Sequence, residues 1–164
     1  MKKVKEEKQK LSDELYGLLT TVNFTDTFST TNHIDDITTI TNLIFNNSPK
    51  WLELLFTLRN KLVHIIGLKT NIPEDYNETF KIGGYVKFFK IFSISDCQVI
   101  LGADDSHLNF RAIVKKDASI SYNIKVITLV EFNNKTGKYY MNIIKPFHRL
   151  VVKQMVKKAF KKRL

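Results

Sequence analysis

The amino-acid sequence predicts a single α+β domain of helix-grip type: a curved antiparallel sheet of six to seven strands wraps a long C-terminal helix, and two helices are inserted after the first strand. Three observations carry this expectation. From about Tyr85, apolar residues recur with a period of two, in runs separated by short breakers, so consecutive strands are joined as hairpins. Between Ser48 and Gly67 the period is helical and the apolar surface is wide. The last twenty residues, Lys145 to Leu164, carry eight Lys or Arg and no acid, and their spacing is that of an amphipathic helix.

Taken in order, residues 1–20 are a charged lead-in, partly helical, and residues 21–164 form the domain. Residues 2–10 read as frayed or as the start of a helix that reaches Leu19. Val22, Phe24, Asp26 and Phe28 alternate between threonine-rich flanks, which predicts a short strand from Val22 to Thr30. Asp35 and Asp36 sit where a helix N-terminus favours acids, and Ile37, Ile40 and Ile44 follow at helical spacing. In the next helix Ser48 is the N-cap, Pro49 occupies the first turn and Gly67 stops the chain; Trp51, Leu55, Leu58, Leu62 and Ile66 line one side. The strand series then runs through Val86 to Ile94, Val99 to Leu101, His107 to Lys115, Ile120 to Phe132 and Lys138 to Ile144. Its breakers are Ser95-Asp96, Gly102 to Ser106, Lys116-Asp117 and Asn133 to Gly137. Pro146 opens the terminal helix, whose row Phe147, Val151, Met155 and Ala159 is meant for the core, with Arg149, Lys153, Lys157 and Lys161 on the opposite stripe.

Composition narrows the classes. Hydrophobic residues make up 43% of the 164, the proportion of a globular chain rather than a disordered one. The net charge is +10, nearly all of it contributed by the C-terminal segment. One cysteine, Cys97, excludes an internal disulfide and suits a reducing compartment. The N-terminus mixes acids with its lysines and does not read as a signal peptide. The most apolar window, Trp51 to Leu68, is interrupted by Arg59, Asn60 and Lys61, so it does not read as a membrane span and a cytoplasmic location is expected.

Several constellations carry chemistry. In HLNFRAIVK, His107, Asn109 and Arg111 share one face of a strand, where they form either a site for a carboxylate or carbonyl or a solvated face with Arg111 paired to Asp104 or Asp105. An enzyme of cyclase or isomerase kind would use His107 and Arg111 with Asp105. Arg59 and Asn60 break an apolar helix and need either hydrogen-bond partners or a cavity to face. Trp51, Phe110 and Tyr122 are core residues or, where a cavity exists, its lining. His148 and Arg149 lie at a helix end that disfavours positive charge, and so call for an acidic partner or an anion. The four histidines are scattered and no metal-binding pattern occurs. Cys97 lacks an activating neighbour, and no serine-hydrolase elbow is present.

Three segments, SPKWLELLFTLRNKLVHIIGLK (48–69), LGADDSHLNFRAIV (101–114) and TLVEFNNKTGKYYMNIIKPFHRLVV (128–152), together resemble an uncharacterised bacterial family, a domain of unknown function found alone or after short-chain-dehydrogenase-like domains. That family is similar to the START-like or SRPBCC helix-grip superfamily, whose members often hold apolar ligands between sheet and helix. The resemblance implies ligand binding and supplies no catalytic residues. No G-x-G-x-x-G occurs and Gly83-Gly84 is a turn signal, so no cofactor is expected.

The basic helix admits three readings: the solvated face of a core helix, contact with an anionic membrane, or contact with nucleic acid. Nucleic acid is the least supported, because no DNA- or RNA-binding motif accompanies the lysines. A helix cannot bury one apolar face both in a core and in a membrane. The expectation is therefore a small apolar or amphipathic ligand held between sheet and terminal helix, with Trp51, Arg59, His107, Asn109, Phe110, Arg111, Tyr122 and His148 as candidates for its site. Arg149, Lys153, Lys157 and Lys161 are candidates for anion contact. Oligomeric state is not encoded in any pattern of this sequence.

Overall fold

A computed structural model describes residues 2–8, 10–46 and 72–161, together with Glu53, Thr57 and His64. Those three are helical and exposed; the rest of the helix predicted from Ser48 to Gly67, including Trp51 and Arg59, lies outside the described residues. The α+β class holds: among the described residues seven strands form one antiparallel sheet, and a long helix follows the last of them. The elements are β1 (Lys5–Glu7), α1 (Asp13–Tyr16), β2 (Phe24–Thr30), α2 (Ile37–Phe45), β3 (Tyr85–Val86), β4 (Phe89–Ile94), β5 (Gln98–Asp104), β6 (Leu108–Lys116), β7 (Ile124–Phe132) and α3 (Lys135–Lys158).

The sheet order is β1-β2-β7-β6-β5-β4-β3. Strands β3 to β7 are a meander of hairpins, as the short breakers require. Strand β2 pairs with β7, with Phe24 opposite Val130 and Thr30 opposite Ile124. The chain between β2 and β3 therefore crosses to the far edge, and it carries α2 over one face. The edge strands have three and two residues, which limits the unpaired backbone offered to another chain.

Both faces of the sheet are covered. On one, Phe28, Val99, Leu101, Val114, Ile124 and Val126 pack against α2 and the C-terminal half of α3, through Ile40, Ile44, Val152, Met155, Val156 and Ala159. On the other, Ile100, Ile113, Ile127 and Leu129 pack against Leu11, Leu15 and Leu19. The second cover corrects two expectations. Residues 2–10 are neither frayed nor the start of a helix, because Lys5–Glu7 form β1, paired to β2; the helical part of the lead-in is the single turn α1, which holds an apolar cover of Leu11, Leu15 and Leu19. The face that carries Asn109 and Arg111 is not simply solvated, because β7 (IKVITLVEF) is apolar on both sides and needs cover on both.

Four further corrections concern local signals. The expected strand from Lys138 to Ile144 is helical. Asn134, with φ −159° and ψ 179°, caps α3 by accepting from the Gly137 N–H, so the breaker Asn133–Gly137 is a helix start. The period-two reading misled because Tyr140, Met141 and Ile144 also fit one face of a helix. Pro146, assigned to a first turn, lies inside α3; it removes a donor from the Asn142 carbonyl where both residues are exposed. The strand read from Val86 to Ile94 is a hairpin, reversed at Lys87 with φ 52°, and the run from Ile120 becomes a strand only at Ile124, after Tyr122 with φ 56°.

Phe147 also departs from its row. Val151, Met155 and Ala159 face the core, whereas Phe147 is 47% exposed. Residues four apart precess by about 40° per step at 3.6 residues per turn, so a long i, i+4 row drifts off any single face.

Candidate functional site

His107, Asn109 and Arg111 do not converge on one ligand. Arg111 grips Asp104 with two prongs, Nη1 to Oδ1 at 2.6 Å and Nη2 to Oδ2 at 3.3 Å, and its Nη1 also donates to the Phe110 carbonyl at 2.9 Å. Its guanidinium carbon lies 4.0 Å from the centre of the Phe92 ring. Gly102, opposite Arg111, permits this: a Cβ there would lie 2.2 Å from the Phe110 oxygen and 3.0 Å from Arg111 Cδ. Asn109 donates to Glu131 Oε2 at 3.0 Å, and Glu131 Oε1 accepts from the Thr21 N–H at 2.8 Å. His107 turns to the side-chain amide of Asn134 at the start of α3, and Asp105 accepts locally from Ser106. The trio His107, Arg111 and Asp105 is thus dispersed over three local networks.

Residues Gly17–Thr20 arch over Asp104, Asn109, Arg111 and Glu131 and leave an open polar cleft of about 280 Å³. Arg111 and Asp104 satisfy one another there, and Glu131 is held by Asn109 and the Thr21 N–H. The cleft ties the N-terminal lid to the sheet, and it is Asp104, not Asp105, that takes the arginine.

A different pair lies on the opposite face, beneath the middle of α3. Asp26 of β2 points towards the helix, and His148 of α3 reaches down to it, with Nε2 3.2 Å from Asp26 Oδ2. The side chains are 7% and 20% exposed respectively. The contact is close, yet neither Asp26 oxygen nor His148 Nε2 has a hydrogen-bond partner. A buried carboxylate held by proximity alone has unused acceptor capacity, and burial of a charge in that condition costs free energy.

The surroundings are aromatic. Phe24 meets the His148 ring edge-on at 5.8 Å, and Lys145 Nζ lies 5.2 Å from the centre of the Phe24 ring. Register places Phe24, Val130 and Phe110 side by side on this face, and Thr128 beside Asp26. Phe110 packs edge-on against Phe89, and Phe89 against Phe45. Phe24, Phe89 and Phe110 are only partly buried, in contrast to the closed packing under the C-terminal half of α3.

The structure thus brings His148 and Phe110 to one face and puts Asn109 and Arg111 on the other. Tyr122 sits beyond the far end of β2, where its hydroxyl donates to the Lys2 carbonyl and Lys5 lies over its ring. Arg149 pairs with Glu6 and Lys161 with Asp35, while Lys153 and Lys157 are exposed. Cys97 is exposed and forms no disulfide. Among the described residues, no group of three or more His, Cys, Asp or Glu is placed to hold a metal ion, and no helix is long and apolar enough to cross a membrane. The residue that sequence reasoning passed over is Asp26. Its signal was present, since it occupies an inward position in the alternation of Phe24 and Phe28, where an acid has no structural reason to be.

Residues 18–155 match the model of a family described as Protein of unknown function (DUF2867). The chain belongs to this family. No curated protein and no solved structure matches the chain. The matched span of this family of unknown function includes β2, the whole β3–β7 meander and α3 as far as Met155, and so both Asp26 and His148.

Proposed function

We propose that the domain binds a small, largely apolar molecule bearing one hydrogen-bond donor, between the sheet and the middle of α3. Asp26 and His148 meet the polar group, and Phe24 and Phe110 contact the apolar body. The observation that carries this reading is the buried Asp26 carboxylate, whose two oxygens lack hydrogen-bond partners. A ligand hydroxyl or amine supplies the donor that the protein does not, and water-poor surroundings strengthen that bond. The partly buried aromatic row beside the pair supports an apolar body, in keeping with ligand sites that are mostly apolar with a few placed polar groups. The location is also the one expected of a helix-grip arrangement, in which a ligand lies between sheet and terminal helix.

The polar cleft on the other face is the weaker location. Arg111 is already held by Asp104, and Glu131 by Thr21 and Asn109, so a ligand there must displace bonds instead of completing them.

Titration calorimetry with dodecylamine, dodecanol and dodecanoate, each below its micelle concentration, tests the proposal. The amine and the alcohol are expected to bind, and Asp26→Asn is expected to weaken the amine by about tenfold or more, because a bond to a charged partner contributes about 1.5–3 kcal/mol. Equal affinity for dodecanoate, or amine binding indifferent to Asp26→Asn, would sink the reading.

A further inference from the structure

The outer surface of α3 carries a second apolar feature, separate from its core face. Tyr139, Ile143, Phe147 and Leu150 are 66%, 55%, 47% and 47% exposed. At 100° per residue they fall within an arc of about 80° on the helix, and the buried set Tyr140, Met141, Val152, Met155 and Val156 lies outside that arc. Four large apolar side chains in one exposed row differ from the scattered single residues common on soluble surfaces.

The row is bordered by positive charge. Helix α3 contains Lys135, Lys138, Lys145, Arg149, Lys153, Lys157 and Lys158 and no Asp or Glu. Lys135, Lys153 and Lys157 are exposed and project on the side of the row that faces away from the sheet. The apolar row is therefore set beside a basic stripe on one solvent-facing surface.

We propose that this surface docks α3, lying flat, on an anionic lipid membrane. Each half of the surface fits one property of that partner: the row enters the boundary between headgroups and acyl chains, and the lysines meet the headgroup charge. The objection that one apolar face cannot serve core and membrane together does not apply, because Val152, Met155, Val156 and Ala159 stay in the core while Tyr139, Ile143, Phe147 and Leu150 are already outside it. Other occupants fit less well. A second copy of the chain would bring two acid-free helices into contact, with like charges opposed. Nucleic acid would use the lysines and leave the apolar row without a partner.

Co-sedimentation of the full chain with phosphatidylcholine vesicles, with and without phosphatidylserine, tests the inference. Binding is expected only with phosphatidylserine present, and it should fall as salt is raised. Replacing Lys135, Lys153 and Lys157 with Gln should weaken it by about fivefold per charge. The pair Ile143→Ser and Phe147→Ser should weaken it by about tenfold or more while the circular dichroism melt is retained, since both side chains are exposed. Absent binding at low salt overturns the proposal. So does binding to duplex DNA that falls with the lysine variants and ignores the serine pair, and so does a dimer, seen by analytical ultracentrifugation, that the serine pair dissociates.

Discussion

Removing His148 and removing the charge of Asp26 do different things to the same contact. His148→Ala removes the side chain that lies 3.2 Å from a carboxylate that is 7% exposed and leaves that buried acceptor without its neighbour, a change of the kind that costs about 1–3 kcal/mol. Asp26→Asn keeps the shape and removes the charge, so its cost is expected to be about 1 kcal/mol or less. Urea unfolding of the two variants separates them: equal losses would mean that the pair is held by shape and not by charge. Arg111 makes an instructive contrast. Its bidentate bond to Asp104 and its stacking on Phe92 complete its bonding, so the most chemically suggestive residue of the sequence is occupied, whereas the unassuming Asp26 is not. Residue type identified the first; only the fold, by putting Asp26 under a helix, identified the second.

At the scale of elements, the start of α3 is fixed by a close approach. A Cβ at Gly137 would lie 2.0 Å from the His107 carbonyl oxygen, a backbone atom that cannot swing aside. Gly137→Ala is therefore expected to lose about 2–4 kcal/mol, whereas Gly17→Ala, with nothing nearer than 3.5 Å, should change stability by about 0.5 kcal/mol or less. Thermal denaturation of the two variants checks this, and similar melting points would remove the contact as a determinant. The same stretch shows where sequence patterning ends. Phe24–Thr30, Ile37–Phe45 and strands β5 to β7 were legible in outline, because a buried face imposes its period on the chain. Lys138–Ile144 was not, since a seven-residue run with Tyr140, Met141 and Ile144 satisfies either period. What decides is the capping bond of Asn134 and the room that Gly137 leaves for His107. The Asp26–His148 contact was illegible for a further reason: it joins two elements whose relative position no local pattern records.

For the whole molecule, the C-terminus of α3 is closed by a buried amide latch. Asn32 and Asn123 are fully buried and bond each other through backbone and side chain, and Asn32 Nδ2 donates to the Ala159 carbonyl at 2.8 Å and to Asp35 at 2.8 Å. Lys161 completes it by donating to Asp35 and, through its backbone, to Thr31. The bond from Lys161, followed by that from Asn32, holds the Asp35 carboxyl below its ordinary value of 3.8. A lowered folded pKa stabilises the fold above the unfolded value, and that contribution is lost as pH falls through the folded one. Asp35→Asn is accordingly expected to be less stable than the natural chain at neutral pH, with the difference closing as pH drops below about 3.8. Denaturant midpoints measured from pH 7 to pH 2 give the comparison, and a gap that persists at the acid end would assign the latch to packing alone. The sheet order was likewise beyond the sequence, because alternation marks a strand without naming its neighbour.

The pairing of β2 with β7 also has a consequence in time. Thr21 and Glu131, which share a hydrogen bond at the mouth of that pair, are 110 residues apart in the chain. A ribosome adding about 5–20 residues per second needs roughly 5 to 20 s to pass from one to the other. Throughout that interval the nascent β2, with Phe24, Asp26 and Phe28, has no inner neighbour to join, so the first strands of this domain to be made are among the last to be placed.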